Sequence, residues 1–172
     1  MTKKIKINWE KVHEAAARLY ADLSSDFIVP DAIIILNRGG LIPGGLLSYS
    51  FDIRDIKLID ITTYHEDKED KDKKNDGDIK NYLSEQVSQL IPFLKDKETI
   101  LIVDDLVDSG NTLKLIKEVF NTEEFDKKEI ITSVLFGNYG ADYIGLPKPE
   151  GWLIFPWDDI FNKFNEPEGE TL

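Results

Sequence analysis

Short apolar runs alternate along the chain with stretches of helical spacing. Continuous runs at residues 32–36, 100–103 and 130–136, and an alternating pattern at 57–63, predict strands. Apolar residues three and four positions apart predict two of the intervening helices, one through Val12, Ala15, Ala16, Leu19 and Leu23 and one through Leu83, Val87, Leu90, Ile91 and Leu94. This order predicts an α/β fold: a single-domain parallel sheet with helices on both faces and ligands at the carboxyl ends of its strands.

Local signals add the smaller elements. Ile5 and Ile7 predict a short edge strand, and Asn8 has a side chain suited to capping the helix that follows. Residues 46–51 start or complete a further helix. Pro92 predicts that the helix around it bends or ends there, because proline lacks the N–H that a helix interior needs.

Residues 65–78 carry eleven acidic or basic side chains in fourteen positions. A segment with this charge density cannot bury itself in a core, so we expect it to be mobile. Thr62, Thr63 and Tyr64 precede it at a predicted strand end. A mobile segment beside a site can serve as a lid that excludes water, and a plain disordered surface loop is the alternative.

Composition narrows the possible partners. With 172 residues and 41% apolar content, residues 1–172 are expected to form one domain with a sizeable core. The formal net charge of −12 argues against nucleic acid as a partner, because phosphate binding needs clustered Lys and Arg. The absence of cysteine excludes disulfides and thiolate–metal sites. Without a signal-peptide pattern or an 18-residue apolar run, the chain is expected to be cytoplasmic, with no membrane segment.

The most informative stretch is residues 99–112, where an apolar β-branched run ends in Asp104 and Asp105, with Asp108 three residues further on. Small, hydroxyl, glycine and amide residues follow, and then the helical pattern of Leu113, Ile116 and Phe120. A strand that opens into such a loop at a helix N-terminus can cradle an anion, because free backbone N–H groups and the helix dipole both face the ligand.

The acidic residues of this stretch suit sugar hydroxyls, a metal ion, or both. Neighbours in an extended strand point to opposite sides, so Asp104 and Asp105 need not compete for one site. Asp108 lies in the loop, within reach of a reacting group. The alternatives are a strand-end acidic turn with a capping aspartate, or a mononucleotide-binding loop of another family.

Two further segments carry candidate chemistry. In the loop after residues 32–36, Gly39 and Gly40 let the backbone approach a ligand, and Arg38 can bind a diphosphate through two parallel hydrogen bonds. A tight turn with a surface arginine is the alternative. Near the carboxyl end, Trp152 opens an aromatic run whose ring face can stack on a purine. The alternative there is an aromatic cluster that closes the core.

Taken together, these motifs resemble the type I phosphoribosyltransferases, which bind phosphoribosyl pyrophosphate (PRPP). In order and approximate spacing they are most similar to the bacterial xanthine-guanine enzymes of that family. The segments that carry the resemblance are Asn8-Trp9, Arg38-Gly39-Gly40-Leu41-Ile42-Pro43-Gly44, the region of Tyr64, Val103-Asp104-Asp105-Leu106-Val107-Asp108-Ser109-Gly110 and Trp152 through Pro156-Trp157-Asp158. The resemblance covers residues 5–64 and 99–160.

The resemblance implies a purine phosphoribosyltransferase that uses Mg²⁺ and PRPP, with a small hood formed by the terminal segments. Asp108 would be the catalytic group, assisting the purine N7, and Asp105 and Asp158 would face the metal. The residues implied to bind PRPP are Arg38, Gly39, Gly40, Asp104, Asp105, Ser109, Gly110, Asn111 and Thr112. The loop of Arg38 would contain a non-proline cis peptide bond. We also expect a homo-oligomer, either a dimer or a tetramer.

The base would stack on Trp152, and the backbone of Leu153 would read its 2-position. The family places a lysine near the purine 6-oxygen, where this chain has Asn138. An amide can donate to an oxygen but can also accept from an amine, which leaves the choice among guanine, xanthine, hypoxanthine and other bases open. The segment between Tyr64 and Thr99 is also longer than in the family.

Two other classes of function compete with this assignment. A regulatory protein on the same fold would sense nucleotides without turnover; the acidic composition and the lack of a basic tail count against direct nucleic-acid binding. A nucleoside-phosphate hydrolase would need a nucleophilic aspartate with a downstream lysine, and no such spacing is found.

Overall fold

The computed structural model describes residues 3–61 and 76–158. It contains seven strands and four helices in these ranges. In chain order they are β1 (Lys4–Lys6), α1 (Trp9–Ser25), β2 (Ala32–Asn37), α2 (Leu41–Phe51), β3 (Ile56–Asp60), α3 (Asp76–Leu94), β4 (Thr99–Leu106), α4 (Asn111–Phe120), β5 (Glu129–Gly137), β6 (Tyr143–Pro147) and β7 (Trp152–Ile154).

Five of the strands form one parallel sheet in the order β3-β2-β4-β5-β6. Because neighbouring strands are all parallel, the loops that follow β2, β4 and β5 leave the same edge of the sheet. The predicted fold class is confirmed. The shared edge collects the glycine-rich, acidic and amide-containing loops that the sequence singled out.

The remaining two strands form the small hood. β1 and β7 pair in parallel, with Ile5 opposite Leu153, and Trp152 donates its backbone N–H to the carbonyl of Lys3 at 2.8 Å. The amino-terminal segment therefore holds the strand that carries Trp152. The sequence predicted the first of these strands from Ile5 and Ile7, but its partner strand was expected only as an aromatic tail.

Alternate residues of the central strands face two separate apolar cores. Ile33 and Ile35 of β2 pack with α1 and α2 on one face, whereas Ile34 and Leu36 pack with α3 and α4 on the other. All four side chains are almost fully buried. This arrangement explains why the central strands read as continuous apolar runs, since a strand covered on both faces has no solvent side.

The structure confirms some of the predicted helix starts and ends and corrects others. Asn8 caps α1, its Oδ1 accepting the N–H of Lys11 at 2.8 Å. α2 begins at Leu41, so residues 46–51 complete a helix, and α3 continues past Pro92 to Leu94. α3 also begins at Asp76, so the last three residues of the predicted mobile stretch form its first turn. The rest of that stretch, with Thr62, Thr63 and Tyr64, lies outside the described residues.

None of the helices in the described part of the chain combines the length and the apolar character needed to span a bilayer.

Candidate active site

The turn after β2 brings backbone to the centre of the sheet edge. The peptide bond between Asn37 and Arg38 is cis, as the family resemblance implies. The N–H of Gly40 donates to the Leu36 carbonyl at 2.9 Å, and that of Leu41 donates to the Arg38 carbonyl at 3.1 Å. A β-carbon at Gly40 would overlap the carbonyl oxygen of Val103 and lie 2.8 Å from that of Leu36. Only glycine therefore fits at position 40. The Arg38 side chain, in the same turn, is exposed.

The two strand-end carboxylates converge on this turn. A β-carbon at Gly39 would lie 2.5 Å from Oδ1 of Asp105 and 2.7 Å from Oδ1 of Asp104. Oδ1 of Asp104 also accepts the backbone N–H of Asp105 at 2.9 Å. The expectation that these neighbours point to opposite sides is therefore wrong. They lie at the end of β4, where both side chains bend toward the open space above Gly39.

Burial is the main cause that raises the pKa of both carboxyl groups. Burial and then the charge of Asp105 raise the pKa of Asp104 well above its usual value. Burial raises the pKa of Asp105 to about 6, and the nearby carboxylate of Asp158 adds to the shift. Asp158 is fixed by its own turn, since its Oδ2 accepts the Phe155 N–H at 3.0 Å. Three acidic side chains thus act on one small region without a described cation to balance them.

This acidic region fits a hard divalent cation. Carboxylate oxygens are ligands that Mg²⁺ prefers, and a cation beside these buried groups would favour their ionised forms against the burial that raises their pKa values. In residues 3–61 and 76–158, however, no three acidic, histidine or cysteine side chains are arranged to hold a metal by themselves. Oxygens of a bound ligand would therefore have to complete the coordination, as in sites where Mg²⁺ binds with phosphates.

The loop after β4 ends at the N-terminus of α4. Gly110 precedes the helix with φ of +77°, a left-handed conformation that glycine adopts without strain. No side chain caps this helix start, although Oγ of Ser109 lies 3.4 Å from the Asn111 nitrogen. The backbone N–H groups of Asn111 and Thr112 stand in the first turn, where the helix dipole favours an anion.

Asp108 lies in the loop between β4 and α4. Its side chain is 76% exposed, and its backbone carbonyl accepts the hydroxyl of Tyr139 at 2.9 Å. Its Oδ1 lies 3.1 Å from Nζ of Lys148, a residue that follows β6 and whose side chain is 17% exposed. Asp108 is thus available to a ligand while its loop is held by residues from the neighbouring strand ends.

The three residues predicted to bind a base lie directly after β5 or in β7. Asn138 follows β5, and its side-chain nitrogen donates to the carbonyl of Lys148 at 3.0 Å. Trp152 is 57% exposed at the start of β7, whereas the Leu153 side chain is buried. Nζ of Lys148 lies 3.4 Å from the carbonyl of Gly151, the residue before Trp152. A chain of contacts therefore runs from Asp108 through Lys148 to the strand that carries Trp152.

Lys148 and Tyr139 also lie at this site but were not predicted from the sequence. Both belong to the β5–β6 region, where the short strand Tyr143–Pro147 was not predicted because only Ile144 and Leu146 give it apolar character. The available signal was a lysine enclosed by two prolines a few residues after Asn138. In the sheet, Gly137 is paired with Pro147, which places Lys148 beside Asn138.

With this geometry in view, comparison with known proteins defines the class. A model of the phosphoribosyl transferase domain matches residues 7–152, so the chain belongs to the phosphoribosyltransferase family of enzymes. Among its relatives, it is similar to the xanthine-guanine phosphoribosyltransferase of Ruegeria sp. (strain TM1040), with 28% identity over 158 residues that cover 88% of this chain and 84% of the relative. The protein of that name from Desulfotalea psychrophila is 29% identical over 154 residues, with coverage of 88% and 84%.

Solved structures agree with this assignment. A purine phosphoribosyltransferase from Pyrococcus horikoshii superposes with a TM-score of 0.64 at 29% identity, over 98% of this chain and 99% of that one. The Helicobacter pylori xanthine-guanine-hypoxanthine phosphoribosyltransferase reaches a TM-score of 0.69 at 23% identity, over 96% and 100% of the two chains. The latter likeness concerns the fold alone.

Proposed function

We propose that this chain transfers the 5-phosphoribosyl group of PRPP to a 6-oxopurine (guanine, xanthine or hypoxanthine) and releases pyrophosphate. The observation that carries the proposal is the convergence of Asp104 and Asp105 on Gly39, at the edge that also holds the N-terminus of α4. This edge combines acidic groups for ribose hydroxyls with two backbone cradles for phosphate. The names of the relatives at 28–29% identity support a purine as the acceptor.

The phosphate groups are assigned to backbone rather than to basic side chains. The 5′-phosphate would lie at the start of α4, against Ser109, Gly110, Asn111 and Thr112. The pyrophosphate would lie on the Arg38-Gly39-Gly40 turn, where Arg38 is exposed and can bind it through two parallel hydrogen bonds. This division suits a chain with a net charge of −12, because it needs few cations. Asp104 and Asp105 would accept the ribose hydroxyls.

We assign the cation as Mg²⁺, with Asp105 and Asp158 as the acidic groups that face it. When bound, it neutralises charge that develops on the leaving pyrophosphate. The raised pKa values of Asp104 and Asp105 support this assignment, because a divalent cation and hydroxyl donors both favour the ionised carboxylates. The chain itself then has to align base, ribose and pyrophosphate, since substitution at the anomeric carbon requires no protein nucleophile.

Asp108 is the proposed catalytic group. The substitution passes through a species with oxocarbenium character, and the purine loses a proton as its nitrogen attacks. An exposed carboxylate in the loop above the ribose site can accept that proton at N7. The hydrogen bond from Tyr139 to the Asp108 carbonyl supports this role by holding the loop without occupying the carboxylate.

The base would stack on Trp152, whose ring is exposed, with Asn138 near its 6-position. The Trp152 N–H donates to the carbonyl of Lys3 and the Ile154 carbonyl accepts the N–H of Ile7, the two residues that flank β1. Backbone groups of successive strand residues face opposite edges, so the N–H and carbonyl of Leu153 face away from β1. This alternation supports the proposal that Leu153 reads the 2-position of the base.

We also propose a homo-oligomer as the assembly and the cytoplasm as the compartment. The cysteine-free sequence supports the latter, because disulfides characterise proteins of oxidising compartments.

The test is a panel of guanine, xanthine, hypoxanthine, adenine and pyrimidines with PRPP and Mg²⁺, in which pyrophosphate release is followed. Turnover of at least one 6-oxopurine is expected. Efficient use of a pyrimidine alone would refute the purine assignment and leave the PRPP site intact. Calorimetric binding of PRPP without turnover of any base would instead favour a regulatory protein.

A further inference from the structure

Lys148 is a mostly buried cation that the mechanism above does not use. Its side chain is 17% exposed, and its Nζ lies 3.1 Å from Oδ1 of Asp108 and 3.4 Å from the carbonyl of Gly151. Lysines are rarely buried to this extent unless they are paired, and the carboxylate that pairs with this one is itself 76% exposed. A lysine held this way beside an accessible carboxylate suits a binding site better than a core.

The backbone fixes the lysine in this place. Its N–H donates to the Gly137 carbonyl at 3.2 Å, and its carbonyl accepts the side-chain amide of Asn138 at 3.0 Å. Pro149 follows it directly, which restricts the lysine to extended conformations. Lys148 is thus aligned beside the position at which the family resemblance implies a lysine and this chain has Asn138.

The chemistry of a 6-oxopurine links the two charged groups. Its N7 and its 6-oxygen lie on the same edge of the base, and both are recognised together by basic side chains in nucleic acids. If Asp108 manages the proton at N7, a cation 3.1 Å from that carboxylate is within reach of the 6-oxygen on the same edge. An ammonium has three donors, and within residues 3–61 and 76–158 two acceptors lie near this one. A donor remains for the ligand.

We propose that Lys148 is the residue that recognises the 6-oxygen of the purine, replacing from the end of β6 the lysine that the family carries at the end of β5. The inference rests on the proposed function and deepens it. Asn138 then positions Lys148, because one N–H of its amide is already directed to the Lys148 carbonyl. An ammonium donates and cannot accept, so Lys148 also selects against the 6-amino group of adenine.

The experiment compares Lys148→Met with Lys127→Met, an exposed lysine before β5 at the opposite edge of the sheet. The KM of guanine or hypoxanthine and the dissociation constant of GMP, measured by calorimetry, are expected to rise roughly tenfold to a hundredfold in Lys148→Met, because a hydrogen bond from a charged donor is lost. The KM of PRPP should stay within about twofold, and Lys127→Met should match the wild type. AMP affinity should not fall.

A second set of variants tests whether the loss of affinity comes from misfolding, and whether a lysine at position 138 can replace Lys148. Lys148→Gln is one bond shorter but keeps a neutral donor, so it should give an intermediate loss. In the double variant Asn138→Lys/Lys148→Met, a cation returns to the family position, and GMP affinity should recover by a large part of what was lost. Circular dichroism and the unfolding midpoint verify that each variant is folded.

Unchanged GMP affinity in a folded Lys148→Met or Lys148→Gln variant would overturn the proposal. So would a uniform fall in kcat for all bases with GMP affinity preserved, because that result would mean that Lys148 only positions Asp108. The calorimetry does not depend on turnover. A wild-type chain that binds GMP but turns over no base would therefore refute the proposed function and still test Lys148. No GMP binding would refute both.

Discussion

A β-carbon on Gly39 would lie 2.5 Å from Oδ1 of Asp105, closer than unbonded atoms of this kind approach. The absence of that carbon leaves the carboxylate room to bend over the turn after β2. The turn and the end of β4 therefore form one surface, in which the acidic groups for a sugar lie directly above the backbone proposed to hold pyrophosphate.

Gly39→Ala should therefore weaken PRPP binding without unfolding the protein. The added carbon displaces the side chains of Asp104 and Asp105 and leaves the backbone alone, so we expect the dissociation constant of PRPP with Mg²⁺ to rise by about tenfold or more. Calorimetric titration measures it. Gly45→Ala is the matched control: its β-carbon would meet nothing within 4 Å, and the helix should gain about 0.5–1 kcal/mol. Equal PRPP affinity in both variants would contradict the shared surface.

Asp108→Asn should lower turnover and spare PRPP affinity. The variant keeps the shape of the loop but loses the proton acceptor, which typically costs on the order of 10²–10⁴-fold in rate. Steady-state kinetics with each accepted base give kcat and the KM of PRPP separately. Asp96→Asn, an exposed aspartate before β4 and far from the edge, is the control. Near wild-type kcat in Asp108→Asn on every base would show that the assigned role is wrong.

The acidic region predicts how stability depends on pH. Asp105 has a pKa of about 6 in the folded chain against the usual 3.8, so the folded state binds its proton more tightly than the unfolded state does. The resulting cost is absent below about pH 4 and fully present above about pH 6, and it amounts to about 3 kcal/mol. The contribution of Asp105 to the free energy of unfolding should therefore fall as pH rises through this window. Burial and the charge of Asp105 raise the pKa of Asp104 in the same direction.

Asp105→Asn should remove part of this pH dependence. The amide has no charge to bury, so the metal-free variant should be more stable than the wild type at pH 7 and should approach it near pH 4. Urea unfolding in the presence of EDTA at several pH values makes the comparison. An equal pH dependence of the wild type and Asp105→Asn between pH 4 and pH 7 would rule out the raised pKa. With Mg²⁺ and PRPP added, the variant should instead gain less stability than the wild type.

The edge strand β3 depends on a contact from α3. The side chain of Gln86 accepts the N–H of Asp60 and donates to its carbonyl, both at 2.8 Å, as an additional strand would. Gln86→Leu should therefore lower the free energy of unfolding by about 1–2 kcal/mol, with Gln89→Leu on the exposed side of the same helix as the matched control. Chemical denaturation compares them. Equal stability of the two variants would mean that solvent replaces both hydrogen bonds.

The sequence predicted the sheet well because the central strands are buried on both faces, which makes runs such as 100–103 continuous and apolar. It predicted where these loops lie because glycine and aspartate are common in the turns that follow strands. It could not predict Lys148. Its place beside Asp108 arises only when β6 pairs with β5, a contact set by tertiary packing rather than by local pattern.

The convergence of Asp104 and Asp105 was missed for a related reason. The alternation of side chains holds within a regular strand, but these residues stand where β4 ends, and the carboxylates turn into the space that Gly39 leaves. The rule that side chains alternate along a strand thus failed at the end of β4, where the turn at Gly39 leaves room for both carboxylates.

The last prediction concerns the stacking of the purine base on Trp152. Trp152 is 57% exposed at the start of β7, a strand whose backbone pairs with β1, so its ring offers an exposed face that a purine can cover. Stacking of a base on an aromatic ring contributes about 1–3 kcal/mol. Trp152→Ala should therefore raise the KM of the purine by roughly fivefold to a hundredfold and leave the KM of PRPP nearly unchanged. Trp152→Phe keeps an aromatic face and should retain most of the affinity. A purine KM within twofold of the wild type in Trp152→Ala would place the base elsewhere along this edge, and Trp152 would then serve the hood alone.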